Sequence, residues 1–248
     1  MTEPATEQPL VAHLLELRTR LVRVILGIVI VFLALFHWSG DIYALLARPM
    51  MQVMPAGAQM IATDVTTPFF VPLKVTMMVA FVLALPNTLY QLWSFVAPGL
   101  YSHEKRLILP VMVASISLFL IGMSFAYFLV FPVVFGFMTA VTPHGVAMMT
   151  DIDKYLSFVL GMFLAFGITF EVPVIVVLLT RFGIITVEKL REARPYVIVG
   201  SFVVAAVVTP PDVLSQIMLA LPLWLLYELG IICSGWLGKP QPRKEQDA

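Results

Sequence analysis

Residues 155–180 read YLSFVLGMFLAFGITFEVPVIVVLLT, and this stretch decides the fold. Its one charged side chain is Glu171. A bilayer core takes about 20 residues of helix, so the run reads as a membrane span. The whole chain agrees. Of its 248 residues, 60% are hydrophobic and 12% charged, and the mean hydropathy is +0.96. A soluble domain is about 25% charged. So few charges cannot cover a soluble globule, which excludes a cytosolic enzyme, a nucleic-acid binder and a disordered chain. A polytopic membrane protein remains. One cysteine, Cys233, can make no internal disulfide.

Working outward, five more apolar runs join the first. The six predicted spans are roughly Leu21–Phe36, Val71–Val96, Leu107–Phe131, Tyr155–Thr180, Pro195–Val208 and Val213–Ile232. The fifth covers only about 14 residues, or about 21 Å of helix. Helices five and six are therefore expected to be short or shallow, with the Thr209-Pro210-Pro211-Asp212 turn below the surface or the bilayer thinned there. Pro86, Pro132, Pro173 and Pro222 lie in or at the ends of spans, and each is expected to kink or break a helix. In the longest loop, about residues 37–70, Asp41–Met50 is expected to form a short helix. Leu10, Leu14, Leu17 and Leu21 share one face of an amphipathic helix over about 10–23 that leads into span one; His13, Glu16, Arg20 and Arg23 share another. Glu3 and Glu7, in place of a basic start, argue against a cleavable signal peptide. The expected organisation is one transmembrane domain, 1–236, and a polar tail, 237–248.

Lysine and arginine set the orientation. Twelve of the 15 fall in the N-terminal segment, two alternate loops and the tail, leaving Arg48, Lys74 and Lys154 on the other side. Both termini are then cytoplasmic, as an even number of spans requires. Trp38, Trp93 and Trp236 fall near predicted interfaces, and Trp224 falls inside the sixth span.

No motif of a hydrolase, a P-loop or a metal site occurs. His13, His37, His103 and His144 are scattered over different segments, so neither metal nor cofactor is expected. Glu171 is the acid read as lying inside the membrane, where a charge costs about 2.5–3.5 kcal/mol. It must face a wet cavity, a partner or a donor, or carry a proton; the plainer role is a neutral acid bonded to a carbonyl freed by Pro173. Thr169, Thr209 and Gln216 are further polar side chains in or near spans. Glu16 has a plain reading as an i,i+4 pair with Arg20. Glu104 has one as a first-turn acid capped by Ser102. Held near one another, the two carboxylates could instead take two guanidinium groups.

Five segments carry a resemblance. They are His13-Leu14-Leu15-Glu16-Leu17-Arg18-Thr19-Arg20-Leu21, Ala62-Thr63-Asp64-Val65-Thr66-Thr67-Pro68-Phe69-Phe70, Phe95-Val96-Ala97-Pro98-Gly99-Leu100-Tyr101-Ser102-His103-Glu104-Lys105-Arg106, Phe166-Gly167-Ile168-Thr169-Phe170-Glu171-Val172-Pro173 and Thr209-Pro210-Pro211-Asp212. From about Pro9 to about Trp236 the chain closely resembles the TatC family, the multi-spanning subunits of the bacterial twin-arginine protein translocase. The resemblance implies an all-α, cup-shaped bundle of six helices in the bacterial cytoplasmic (inner) membrane. It implies a receptor for the twin-arginine signal peptides of folded cargo, driven by the proton-motive force. The family's signal-binding acids fall on Glu16 and Glu104, and Arg18, Pro49, Phe95 and Leu100 match other functional positions. The family's intramembrane acid falls on Glu171, facing the concave side. Thr209 and Gln216 match positions that dock the single-span partners TatA and TatB, and with Glu171 they are expected to form one polar patch that docks a polar residue of a partner helix. Ala206 stands in that region where some relatives carry a larger side chain, and Asp212 matches an outer-loop position. Other copies of the chain and membrane lipid are the remaining implied partners; nucleic acid is not one. Two alternatives stay open: a small-solute or ion transporter using Glu171 as a coupling acid, and a passive membrane scaffold.

Overall fold

The computed structural model describes residues 7–53, 60–96, 108–143, 149–209 and 213–237. Among these the chain is helical, with a single isolated β-bridge between Ile61 and Asp151. The helices are α1 (Glu7–Leu35), α2 (Ser39–Val53), α3 (Thr67–Leu83), α4 (Leu85–Val96), α5 (Ile108–Phe125), α6 (Phe131–Val141), α7 (Ile152–Phe170), α8 (Val172–Arg181), α9 (Val187–Glu192), α10 (Arg194–Val208) and α11 (Val213–Leu237). Among the described residues four stretches are long and apolar enough to cross a membrane, and the bent pair α3–α4, taken as one span, makes a fifth; α10 is a shorter apolar helix.

The first two sequence readings merge, because the amphipathic segment and span one form the unbroken α1. The expected short helix in the long loop is α2, which begins two residues before Asp41 and ends three residues after Met50. Span two is not continuous: α3 and α4 meet at a 55° bend around Ala84. Pro86 has no N–H for the carbonyl four residues back, and its ring crowds that carbonyl. Before Pro132 the chain relaxes into a π-helical turn, Ala126–Val130, and then continues as α6. Pro173 interrupts span four at Glu171, whose N–H donates to the Ile168 carbonyl at 3.0 Å. Pro222 does not break its helix, since α11 continues through it. Membrane helices tolerate proline where neighbours or local adjustment satisfy the freed carbonyl. The sixth helix is also not short: α11 has 25 residues, whereas α10 has 15, as its run foretold.

The burial pattern is that of a lipid-facing protein. Along α7 the buried side chains Leu156, Val159, Met162, Phe163, Phe166 and Phe170 recur at helical spacing, while Leu164 and Ile168 on the other face are exposed. Small polar groups lie inside, among them Thr76, Ser115, Thr169, Ser201 and Ser234. Several satisfy themselves on the preceding turn: Thr76 Oγ1 donates to the Pro72 carbonyl at 2.8 Å and Ser201 Oγ to the Ile198 carbonyl at 2.7 Å.

The described residues fall into two compact units. In the first, α1 packs on α3 and α4. The strap residues Ile61–Thr67 are pinned to the start of α7: the Ile61 N–H donates to the Thr150 carbonyl at 3.0 Å and the Ile152 N–H to the Ile61 carbonyl at 2.9 Å. In the second unit, α11 packs on α8, α9 and α10. There α5 and α7 meet through glycines. A Cβ on Gly122 would stand 2.6 Å from the Phe166 carbonyl oxygen, and one on Gly167 would stand 2.5 Å from the Phe119 ring. Close backbone approach of this kind is how helices associate in lipid, where burial of apolar surface gives no driving force. Phe125, Phe131 and Phe135 then meet Phe158, Phe163, Phe166 and Phe170 in tilted or edge-on contacts, with ring centroids 5.2–6.3 Å apart. Gly183, at φ 68°, ends α8 in the left-handed conformation that glycine adopts without strain.

Candidate functional site

Glu16 sits in the first half of α1, where Leu14, Leu15, Leu17 and Leu21 are exposed around it. Its Oε1 accepts from Arg20 Nε at 2.9 Å and from Arg20 Nη2 at 2.6 Å. The plain reading of Glu16 is therefore present in the structure. The pair is partly open, with side-chain exposures of 36% for Glu16 and 20% for Arg20. Pairs of this kind contribute about 0.3–0.5 kcal/mol, so an incoming guanidinium displaces Arg20 at small cost. Arg18 is exposed and, two residues on, does not share the Glu16 face. Lower in the same unit, Asn87 Nδ2 donates to the Arg23 carbonyl at 3.3 Å, beside Gly27, so α4 meets α1 there. Phe95 lies half-buried near the end of α4. Pro49, buried within α2, belongs to the second unit. Leu100 and Glu104 lie outside the described residues, as do Asp212 and the tail beyond Leu237.

In the second unit Glu171 is half-buried at the turn between α7 and α8. Thr209 is buried and ends α10, its Oγ1 donating to the Ala205 carbonyl at 2.8 Å. Gln216 Nε2 donates to the Phe202 carbonyl at 3.1 Å and so ties α11 to α10. Thr209 and Gln216 thus belong to one helix hairpin, with Ala206 exposed beside it. Glu171 belongs lower. A Cβ on Gly230 would lie 3.1 Å from Pro173 Cα, and Gly230 is about 14 residues, roughly 21 Å of helix, from Gln216. The three polar side chains sit at two levels along α11.

The profile of the family described as Sec-independent protein translocase protein (TatC) matches residues 12–222. The chain belongs to the TatC family. It is 56% identical over 225 residues to the TatC of Azotobacter chroococcum, covering 91% of this chain and 88% of that one. With the TatC of Escherichia coli K12 it shares 52% over 239 residues, covering 96% and 93%. A crystal structure of the twin arginine translocase receptor TatC superposes with a TM-score of 0.80 at 38% identity, covering 90% of this chain and 98% of that one. A second, in the detergent DDM, gives 0.81, covering 90% and 99%. The chain is accordingly a multi-pass membrane protein and a member of a protein-translocase family.

Two features of this TatC-family chain escape a linear reading. The first is Glu228, a second acid within an apolar run, inside the sixth as Glu171 is inside the fourth. Its side chain is 21% exposed and takes Arg194 Nη2 at 2.6 Å. The apolar run itself was the available signal: Glu228 stands four residues before its end. The partner was not legible, because 34 residues separate the pair. The second feature is Asp151. Its carboxylate accepts from the Thr63 hydroxyl, from the Thr63 N–H at 3.1 Å, and from the N–H groups of Asp153 at 2.8 Å and Lys154 at 3.1 Å. It caps α7 and holds the strap at once, while Lys74 Nζ adds an ion pair to Asp153 at 2.6 Å.

The Thr63 hydroxyl first, and then the Lys154 N–H, hold the Asp151 carboxyl down from 3.8 to about 2. A depressed folded-state value means that the carboxylate supports the fold above pH about 4 and loses that support as pH falls to about 2. Amide exchange at Ile61 and Ile152 should rise over that window, relative to amides in mid-α7. In Asp151→Asn those two amides should be less protected at neutral pH and show no added loss between pH 4 and 2. Identical behaviour of the two proteins would remove Asp151 as the latch.

Proposed function

We propose that the chain is the receptor subunit of twin-arginine protein export. In this reading it sits in the bacterial cytoplasmic membrane with six spans, α10 completing the count, and with both termini in the cytoplasm. Its role is recognition rather than catalysis. The two arginines of a signal peptide pair with Glu16 and Glu104, and the apolar stretch that follows lies against the apolar side chains exposed on α1. Arg18, Phe95 and Leu100 contribute to this region, and Pro49 is a further position for signal-peptide binding. Thr209 and Gln216 at one level of α11, and Glu171 at another, dock the single-span partners TatA and TatB. Asp212 lies on the outer side. Further copies of the chain complete the receptor complex, and the proton-motive force drives transport.

The observation that supports the reading is the packing of α4 on α1 within one unit, with Asn87 against Arg23 and Gly27. The α4 helix ends at Val96, from which the chain leads on to Glu104. Glu16 already seats a guanidinium, which is the geometry a twin-arginine peptide needs.

Photo-crosslinkers at Leu17 and at Phe95 test the proposal. Both should capture a twin-arginine signal peptide, and a twin-lysine peptide should give much less of each product, because lysine lacks the bidentate fork. Equal capture of the two peptides would overturn it.

A further inference from the structure

A second basic site lies away from Glu16. A cavity of about 460 Å³ opens between α9, the start of α10 and the end of α11, lined by Arg191, Arg194, Ile231, Ile232, Gly235 and Trp236. Its two arginines differ. Arg194 spends Nη2 on Glu228, while its Nε is buried with no hydrogen bond among the described residues. Arg191 is exposed and has no ion pair among those residues. With Glu228 offsetting one arginine, the cavity carries a charge of about +1 on side chains alone. Its rim is apolar: Ile232 is 53% exposed and Trp236 is 89% exposed at the end of α11. A tryptophan so exposed at the end of a membrane helix is placed as an interfacial anchor is, its ring at the depth of the lipid headgroups.

We infer that this cavity binds the phosphate of an anionic phospholipid such as phosphatidylglycerol. The phosphodiester carries one negative charge, matching the single net positive charge. Arg191 and the exposed part of the Arg194 guanidinium, whose side chain is 43% exposed, fit its oxygens, and the acyl chains run down past Ile232. Basic pockets between membrane helices take such headgroups, and the size of the cavity lies within the range of small-ligand sites. The topology proposed above enters only in choosing the leaflet, the cytoplasmic one; lipid selectivity does not depend on signal-peptide binding.

Trp236 is itself the reporter. The full chain is reconstituted in phosphatidylcholine nanodiscs containing increasing fractions of brominated phosphatidylglycerol or brominated phosphatidylcholine. The Trp236 signal is taken as the difference from Trp236→Phe. The anionic lipid should half-quench at about a fivefold lower fraction, the effect of one basic residue near a lipid surface. Arg191→Gln should abolish the preference and Arg191→Lys should keep most of it, with unchanged helicity by circular dichroism in both. Inorganic phosphate should not relieve the quenching, because the rim contacts require a lipid. Equal quenching by the two lipids overturns the proposal. So does a preference that survives Arg191→Gln, which would place it on the tail bases Lys239, Arg243 and Lys244, and so does relief by inorganic phosphate.

Discussion

Alanine at both Glu16 and Glu104 is expected to weaken binding of a twin-arginine peptide by about a hundredfold or more. Each charge-assisted bond contributes about 1.5–3 kcal/mol, so losing two costs at least two decades of affinity. The single Glu16→Ala change carries an added effect. It frees Arg20, which Glu16 now holds at 2.6 Å, and leaves a positive group where a positive peptide must approach. Glu16→Gln/Arg20→Gln removes both charges and separates the two contributions: it should bind better than Glu16→Ala and worse than the parent. Titration of a fluorescent peptide against the purified protein reads all of these values. If Glu16 served only its helix, its loss would cost the few tenths of a kcal/mol of an i,i+4 pair and leave peptide binding intact. That is also the outcome a passive scaffold requires.

The second large effect is expected at Glu171. Glu171→Ala should lower copurification of a single-span partner by about three- to twentyfold, the range of interhelical hydrogen bonds in membranes at about 0.6–1.7 kcal/mol. Glu171→Gln keeps a donor and an acceptor and should retain most of the partner. Because Gln216 is about 21 Å of helix from the Gly230 level, Gln216→Leu combined with Glu171→Ala should be close to additive, as for separate sites. A single polar patch would instead give strong coupling. Full copurification with Glu171→Ala would end the docking role. Solute uptake into liposomes holding only this chain, lost in Glu171→Ala, would favour a transporter.

Much of the fold is legible because the bilayer imposes length and polarity on each span. The run at residues 155–180, the short α10 and the bend near Pro86 all follow from counting residues and placing prolines. Pro222 does not follow, since its cost depends on what surrounds the freed carbonyl, and nothing local records that. Candidate site residues are legible by type, because acids in an apolar chain are few. Glu16 with Arg20 reads directly from i,i+4 spacing. Arg194–Glu228 and Thr63–Asp151 do not, because their partners are 34 and 88 residues apart in the chain. The two levels of Glu171 and Gln216 required the Gly230–Pro173 contact, which no spacing encodes.

A double-mutant cycle between receptor and peptide tests the central claim most directly. Peptides bearing Arg-Arg or Lys-Lys are titrated against the parent protein and against Glu16→Gln/Glu104→Gln. The parent should prefer Arg-Arg by at least about tenfold, equivalent to about 1.4 kcal/mol, and the double variant should show almost no preference. An undiminished preference in the double variant would contradict the assignment of the two carboxylates as the seat of the twin arginines.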